Sequence, residues 1–372
     1  MNGSSEKGRY VGLDFLKAVA AVLIVMHHYQ QEAGAVFATF NFYPASDSQF
    51  NIGMLTILFF MISGFLTEQQ ELGEAESEME KSLPSKFWHK CLRIYPMAVL
   101  SCCAYVLIGV LDWAVTKNWH WYAGGGGIWT FFCSITLSAY MGIWESAGLV
   151  NNAPLWYLSA LISAYATYYL LVYFSRKCKI PRLLSELILF LFLCAARTQS
   201  LQLPFFGNSW DQKGGIISFL FGALLCHMAP YLPRKAKRFL LMISGVTVVV
   251  LLSNRGDWIE NQWWVQLFML YPGIFLNALY LKDARDSKCC QIIHFLGKVS
   301  YEVYLWHSPL FMLEMLILDI SGITIPCTYG VIILFAIVVE LFAIPLYLFL
   351  EKPLAYRMKR YEWDKLKVVD PV

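Results

Sequence analysis

Ten runs of mostly apolar residues constrain this 372-residue chain more than any other feature. Each is near the 20 or so residues that carry a helix across a bilayer. They lie at about 11–30, 51–67, 88–115, 154–174, 183–200, 215–232, 237–254, 262–281, 291–319 and 327–351. A backbone in lipid must satisfy its own hydrogen bonds, so such runs fold as helices. Only 15% of the residues are charged and 58% are hydrophobic, against about one quarter charged in an ordinary soluble domain. The expectation is an all-α integral membrane protein: a bundle of about ten transmembrane helices forming one domain over 1–372, with no appended soluble domain.

An eleventh apolar stretch, 128–144, follows the glycine run Gly124 to Gly127. Basic residues accumulate in cytoplasmic loops, and that bias decides how it is threaded. With ten spans and both termini cytoplasmic, the clusters Arg176, Lys177, Lys179, Arg182 and Arg234, Lys235, Lys237, Arg238 all fall inside. Counting 128–144 as a span would put both clusters outside. It is therefore expected to be a re-entrant or non-spanning outer segment. The first apolar run resembles a signal peptide, but Lys17 interrupts it and many runs follow, so it is read as a retained span.

The formal net charge of +3 is spread along the chain, with no basic stripe or zinc-finger spacing, so no nucleic-acid partner is expected. The ten cysteines lack ligand spacing and fall in apolar or basic surroundings. They read as small core residues and reduced thiols, with no disulfide framework and no metal site. The glutamate-rich stretch from Thr67 to Ser82 reads as a solvated cytoplasmic loop or short helix.

Ionisable groups inside a membrane are costly and mark candidate functional positions. Lys17 and His28 are eleven residues apart, three helical turns and about 16 Å along one face. Asp14, three before Lys17, lies near the same face, whereas His27 points away from it. The plainer alternative is that Lys17 snorkels to the headgroups and His28 sits in the outer interface. Lys90 and Arg93 in "FWHKCLRIYP" share a face at the mouth of the third run, as a phosphate clamp or as ordinary anchors. His307 in "SYEVYLWHSP" lies mid-span beside the helix-loosening Ser308-Pro309. In "NNAPLWYLS", Asn151, Asn152, Trp156 and Tyr157 could line an outer vestibule. The bland readings there are helix capping and an aromatic belt. "FFMISGFL" places Ser63-Gly64 where two helices can approach closely. Glu302, Glu314, Asp319 and Glu340 acquire no role from the sequence. An imidazole that can act as a base, with cations below it, fits group transfer across a membrane. It fits a multispan transporter of a sugar or anionic metabolite equally well.

Taken in order, these stretches resemble the acyltransferase type 3 family of multispan membrane acyltransferases, which includes O-antigen O-acetylases. "GLDFLKAVAAVLIVMHHY" resembles the family's first helix, a basic residue followed after ten residues by histidine. "FFMISGFL", "HKCLRIYP", "PLWYLSALISAY" and "SYEVYLWHSPLF" are similar to its later motifs. The resemblance implies transfer of an acyl group, usually acetyl, from a cytoplasmic acyl-CoA such as acetyl-CoA. The acceptor it implies is a hydroxyl of an extracytoplasmic or lipid-linked glycan, at the plasma (inner) membrane of a bacterium. It implies His28 as catalytic base, and Asp14, Lys17, Ser63, Lys90 and Arg93 as donor-binding or site-ordering residues. His307, Trp156, Asn152 and Tyr304 are then expected at the acceptor or cavity. Acyl-CoA, the glycan and membrane lipid are the expected partners. Some members carry a glutamate just after the tryptophan motif; here Leu161, Ser163 and Ala164 stand in that stretch.

Overall fold

The computed structural model describes residues 10–37, 52–73, 83–117, 128–139, 152, 154–201, 210–252, 262–281, 287–325 and 328–358. These are almost wholly helical, and no strand occurs among them. Each of the ten predicted runs holds one long helix. In chain order they begin with α1 (Val11–Phe37), α2 (Thr56–Leu72) and α3 (Leu83–Thr116). A short α4 (Ile128–Ile135) precedes α5 (Leu155–Lys177), α6 (Arg182–Thr198), α7 (Trp210–Met228) and α8 (Arg234–Leu252). Three pieces, Gln262–Val265, π-helical Gln266–Leu270 and Tyr271–Ala278, run on as α9. Then come α10 (Lys288–Ser321) and α11 (Tyr329–Leu346), which continues through a π-helical turn, Tyr347–Glu351.

Five helical stretches are long and apolar enough to cross a membrane by length and composition: Val11–Gln30, Leu83–Thr116, Leu155–Lys177, Lys288–Ser321 and Tyr329–Met358. On α11 the apolar side chains of Leu334, Ile337 and Leu341 face outward, as lipid contact requires. The eight residues of α4 rise only about 12 Å, too little to span, in keeping with a non-spanning segment. Gly124 to Gly127 and residues 140–144 lie outside the described residues, as does Asn151.

Helix pairing follows the small residues. α2 packs along α7, and α1 along α10, which also meets α3 and α11. A methyl group on Gly64 would fall on the Phe219 carbonyl oxygen, and one on Gly222 on the Met61 carbonyl oxygen. The two backbones therefore meet glycine to carbonyl, the close approach that drives helix association where lipid removes the hydrophobic incentive. The Ser63-Gly64 pair thus divides its labour: Gly64 makes the crossing and Ser63 turns toward a cavity. The nine described cysteines are all free thiols.

One expectation fails. The start of the glutamate-rich stretch is not solvated: Glu68 and Glu71 are buried in the last turns of α2. They are accommodated because α3, α5 and α6 bring cations to them. Glu71 pairs with Lys86 at 2.7 Å and lies 3.8 Å from Arg176, and Glu68 pairs with Arg182 at 2.9 Å. Residues 74–82 of that stretch lie outside the described residues.

Candidate active site

One face of α1 organises the site. Asp14 and Lys17, a turn apart, pair at 2.5 Å. His294 of α10 brings its Nδ1 to 2.7 Å from the other Asp14 oxygen. Asp14 is therefore held from two helices at once, which keeps the Lys17 ammonium in place. The helices come this close because Gly297 faces Asp14; a Cβ there would lie 2.5 Å from the Asp14 Cβ.

Beside this pair is a cavity of about 820 Å³. Of the predicted residues, it is lined by Asp14, Lys17, Ser63, Lys90, Arg93 and Tyr304. Lys90 and Arg93 do share a face of α3, and the Lys90 ammonium sits 5.5 Å above the Tyr165 ring. The cavity also takes in residues the sequence reading missed: Tyr165, Lys298, Tyr301, Glu351 and Lys352. Five basic residues (Lys17, Lys90, Arg93, Lys298, Lys352) face two acidic ones (Asp14, Glu351), so the lining is net cationic. Lys298, Tyr301 and Tyr304 recur every third residue on α10, a spacing that could have flagged them. Glu351 and Lys352 could not have been flagged, because one closes the π turn and the other follows it, where the sequence's helical phase is reset.

Three aromatic rings from three helices bound the cavity on one side. Phe59 of α2, Tyr157 of α5 and Tyr304 of α10 have ring centres 6.0, 6.2 and 5.4 Å apart, taken pairwise. The Tyr304 hydroxyl donates to the Pro154 carbonyl at 3.1 Å, which fixes the ring. Its ring centre is 5.9 Å from that of His307, one turn further along α10. There the two predicted histidines meet. His28 Nδ1 and His307 Nε2 are 2.7 Å apart, with the rings stacked at 4.9 Å and 25° between their planes. His27 is buried beside them, its ring centre 5.5 Å from that of His28.

Trp156 and Asn152 are not brought to this cavity. Asn152 is fully buried, and its Nδ2 donates to Ser101 Oγ at 3.1 Å and to the Leu305 carbonyl at 3.2 Å. It braces α3 and α10 at the start of α5. Trp156 packs against Cys133 and Ala139, where α4 and the turn after it dock. Two of the unassigned acids have structural partners. Glu302 accepts from Trp306 Nε1 at 2.9 Å, and Glu314 from the Tyr29 hydroxyl at 3.1 Å.

A family profile described as an acyltransferase domain, acyltransferase type 3, matches residues 10–345. The chain belongs to the acyltransferase type 3 family. Nearly the whole chain is covered, so membership applies to the helical bundle itself and makes it a multi-pass membrane O-acyltransferase. No curated protein and no solved structure gives a match. Membership separates the two readings that the residues alone left open, in favour of an enzyme over a transporter. In this acyltransferase the carboxylates facing the cavity come from α1 and the end of α11. The tryptophan-motif helix α5 contributes Tyr157, Leu158, Leu161 and Tyr165.

Proposed function

We propose that this O-acyltransferase moves an acyl group, acetyl in the first instance, from acyl-CoA in the cationic cavity to a hydroxyl of an extracytoplasmic or lipid-linked glycan at His28. The observation that carries the reading is the continuity of the site. The cavity has five cationic side chains and Tyr304 in its lining. The Tyr304 ring stands 5.9 Å from His307, which pairs with His28; the two histidines lie beyond the lining. Coenzyme A is a polyanion on a long flexible arm. Lys90 and Arg93 suit its phosphates, Arg93 as a planar fork and Lys90 as a point charge. The arm would run up the cavity past Phe59, Tyr157 and Tyr304, bringing the thioester toward the histidines.

In this mechanism the bridging hydrogen sits on His28 Nδ1 and is accepted by His307 Nε2, leaving His28 Nε2 free as the base. His28 takes the proton of the acceptor hydroxyl as its oxygen attacks the thioester carbonyl. The tetrahedral intermediate collapses by breaking the carbon–sulfur bond. The departing thiolate takes the proton back from His28 and leaves as free coenzyme A. His307 stabilises the imidazolium, the part a carboxylate plays in serine hydrolases. The reaction belongs at the plasma (inner) membrane of a bacterium, with both chain termini in the cytoplasm and all ten long helices spanning.

The test is mass spectrometry of envelope glycans from host cells with the gene, without it, and complemented by His28→Ala. The expected result is a mass difference of one acyl group that the wild-type gene restores and the variant does not. Identical glycans in all three would refute the reading.

A further inference from the structure

A second cluster of ionisable side chains, none of them lining the cavity, lies where the ends of three helices converge. Glu68 is in the last turns of α2, Glu186 in the first turns of α6, and His227 in the last turn of α7. Both glutamates are fully buried. His227 Nε2 lies 3.0 Å from Glu68 Oε1 and 3.4 Å from Glu186 Oε2, and one donor atom from each of the three residues falls within 4.8 Å of the others. Around them, Arg182 donates to Glu68 Oε1 at 2.9 Å, and the Tyr168 hydroxyl of α5 donates to Glu68 Oε2.

Hydrogen bonding alone does not complete this arrangement. Glu68 is satisfied by Arg182 and Tyr168. Glu186 is not: neither of its carboxylate oxygens has a hydrogen-bond partner among the described residues. A buried carboxylate left that way costs at least a few kcal/mol. His227 Nε2 faces both glutamates but can carry only one hydrogen, so completing the cluster takes either a further proton shared between the two carboxylates or a cation. A cation placed between the three atoms meets all of them. Zinc bonds of about 2.0–2.1 Å set tetrahedral donors about 3.3 Å apart. The two separations from His227 Nε2, 3.0 and 3.4 Å, bracket that value. Arg182 and Tyr168 then stand as the outer hydrogen bonds that orient a ligating carboxylate.

We propose that Glu68, Glu186 and His227 form a binding site for one divalent transition-metal ion, zinc by preference, which ties α2, α6 and α7 together. Two carboxylates and one imidazole suit zinc, manganese or iron(II) far better than magnesium or calcium, which favour all-oxygen sites. The sequence reading expected no metal from the spacing of the cysteines, and these three ligands lie in three separate helices with no common spacing to flag them. The site is structural: its ligands are not among the residues that line the cavity, and no step of the proposed transfer involves them.

The test uses the full chain, purified in detergent through a tag without histidines, and does not depend on activity. Elemental analysis of the wild type is expected to find about one zinc, manganese or iron per chain. Chelator-treated protein should gain thermal stability on addition of the metal, and Glu186→Gln and His227→Gln should lose both the metal and the gain. X-ray absorption at the metal edge should report oxygen and nitrogen neighbours only. Substoichiometric metal with no metal-dependent shift in the wild type would overturn the proposal and leave an ion-pair cluster. So would a sulfur shell, which would place the metal on the free cysteines instead. The wild-type measurements decide the matter even if a variant fails to fold.

Discussion

Replacing His307 with alanine removes the group held 2.7 Å from His28 Nδ1, and the size of the effect follows from the change in that hydrogen bond during reaction. Between two neutral imidazoles it contributes about 1 kcal/mol; once His28 has taken the acceptor's proton it is charge-assisted and contributes about 2–3 kcal/mol. Only the difference accelerates the reaction. A differential of about 1–2 kcal/mol corresponds to a fall in kcat of about 5–30-fold, at 1.36 kcal/mol per factor of ten. His307 does not line the donor cavity, so the KM for acyl-CoA should hardly move. His28→Ala removes the base itself and should cost about 10²–10⁴-fold. Residues acting as a unit are not additive, so the double variant should be no slower than His28→Ala alone. The assay is transfer of radiolabelled acetyl from acetyl-CoA to extracted acceptor in proteoliposomes, with each variant's melting temperature measured alongside. A His307→Ala enzyme with unchanged kcat and raised KM, or a double variant showing the product of the two single losses, would refute the pairing.

Lys90→Ala and Arg93→Ala should each raise the KM for acyl-CoA about 10-fold, the loss expected for one charge-assisted contact, and flatten its dependence on salt. Thermal shift with coenzyme A measures the same loss without turnover, and unaltered binding in the double variant would exclude the cavity as the donor site. Gly222→Ala puts a methyl group on the Met61 carbonyl oxygen and should lower the melting temperature sharply, whereas Gly245→Ala on α8 meets nothing within 4 Å and should raise helix stability by about 0.5–1 kcal/mol. Equal effects at the two glycines would remove the close-crossing argument. Asn152→Ala leaves the Leu305 carbonyl and Ser101 without their partner and should cost about 1–3 kcal/mol of stability. It should also leave the KM for acyl-CoA unchanged, which separates a brace from a binding residue.

What could be read in advance was whatever one helix determines on its own. The rotation of α1 put Asp14, Lys17 and His28 on a common face, and the three-residue spacing of Lys90 and Arg93 did the same on α3. Both depend only on helical periodicity. What needed two helices was harder to see. His294 meets Asp14 only because Gly297 lets α10 lie against α1. Glu68, Glu186 and His227 have no shared period and look like ordinary loop-flanking charges until α2, α6 and α7 close on one another. Trp156 and Asn152 show the opposite case, since neither lines the cavity. A polar and an aromatic residue near a span end suggest a vestibule, yet the docking of α4 and the gap between α3 and α10 claim them as packing.

The π turn Tyr347–Glu351 carries a consequence for how such a site can change. It lodges one residue more per turn than an α-helix, and a residue is worth about 100° of rotation. Glu351 at its end, and Lys352 and Ala355 just beyond it, all face the cavity. Deleting one residue within the turn would restore regular α-geometry and leave Lys352 and Ala355 facing the cavity, because four α residues turn the chain through about as much as the five of the π turn. A deletion elsewhere in α11 would rotate them by about 100°. The segment between Pro345 and Pro353 is therefore where α11 can take a length change of one without redirecting this wall.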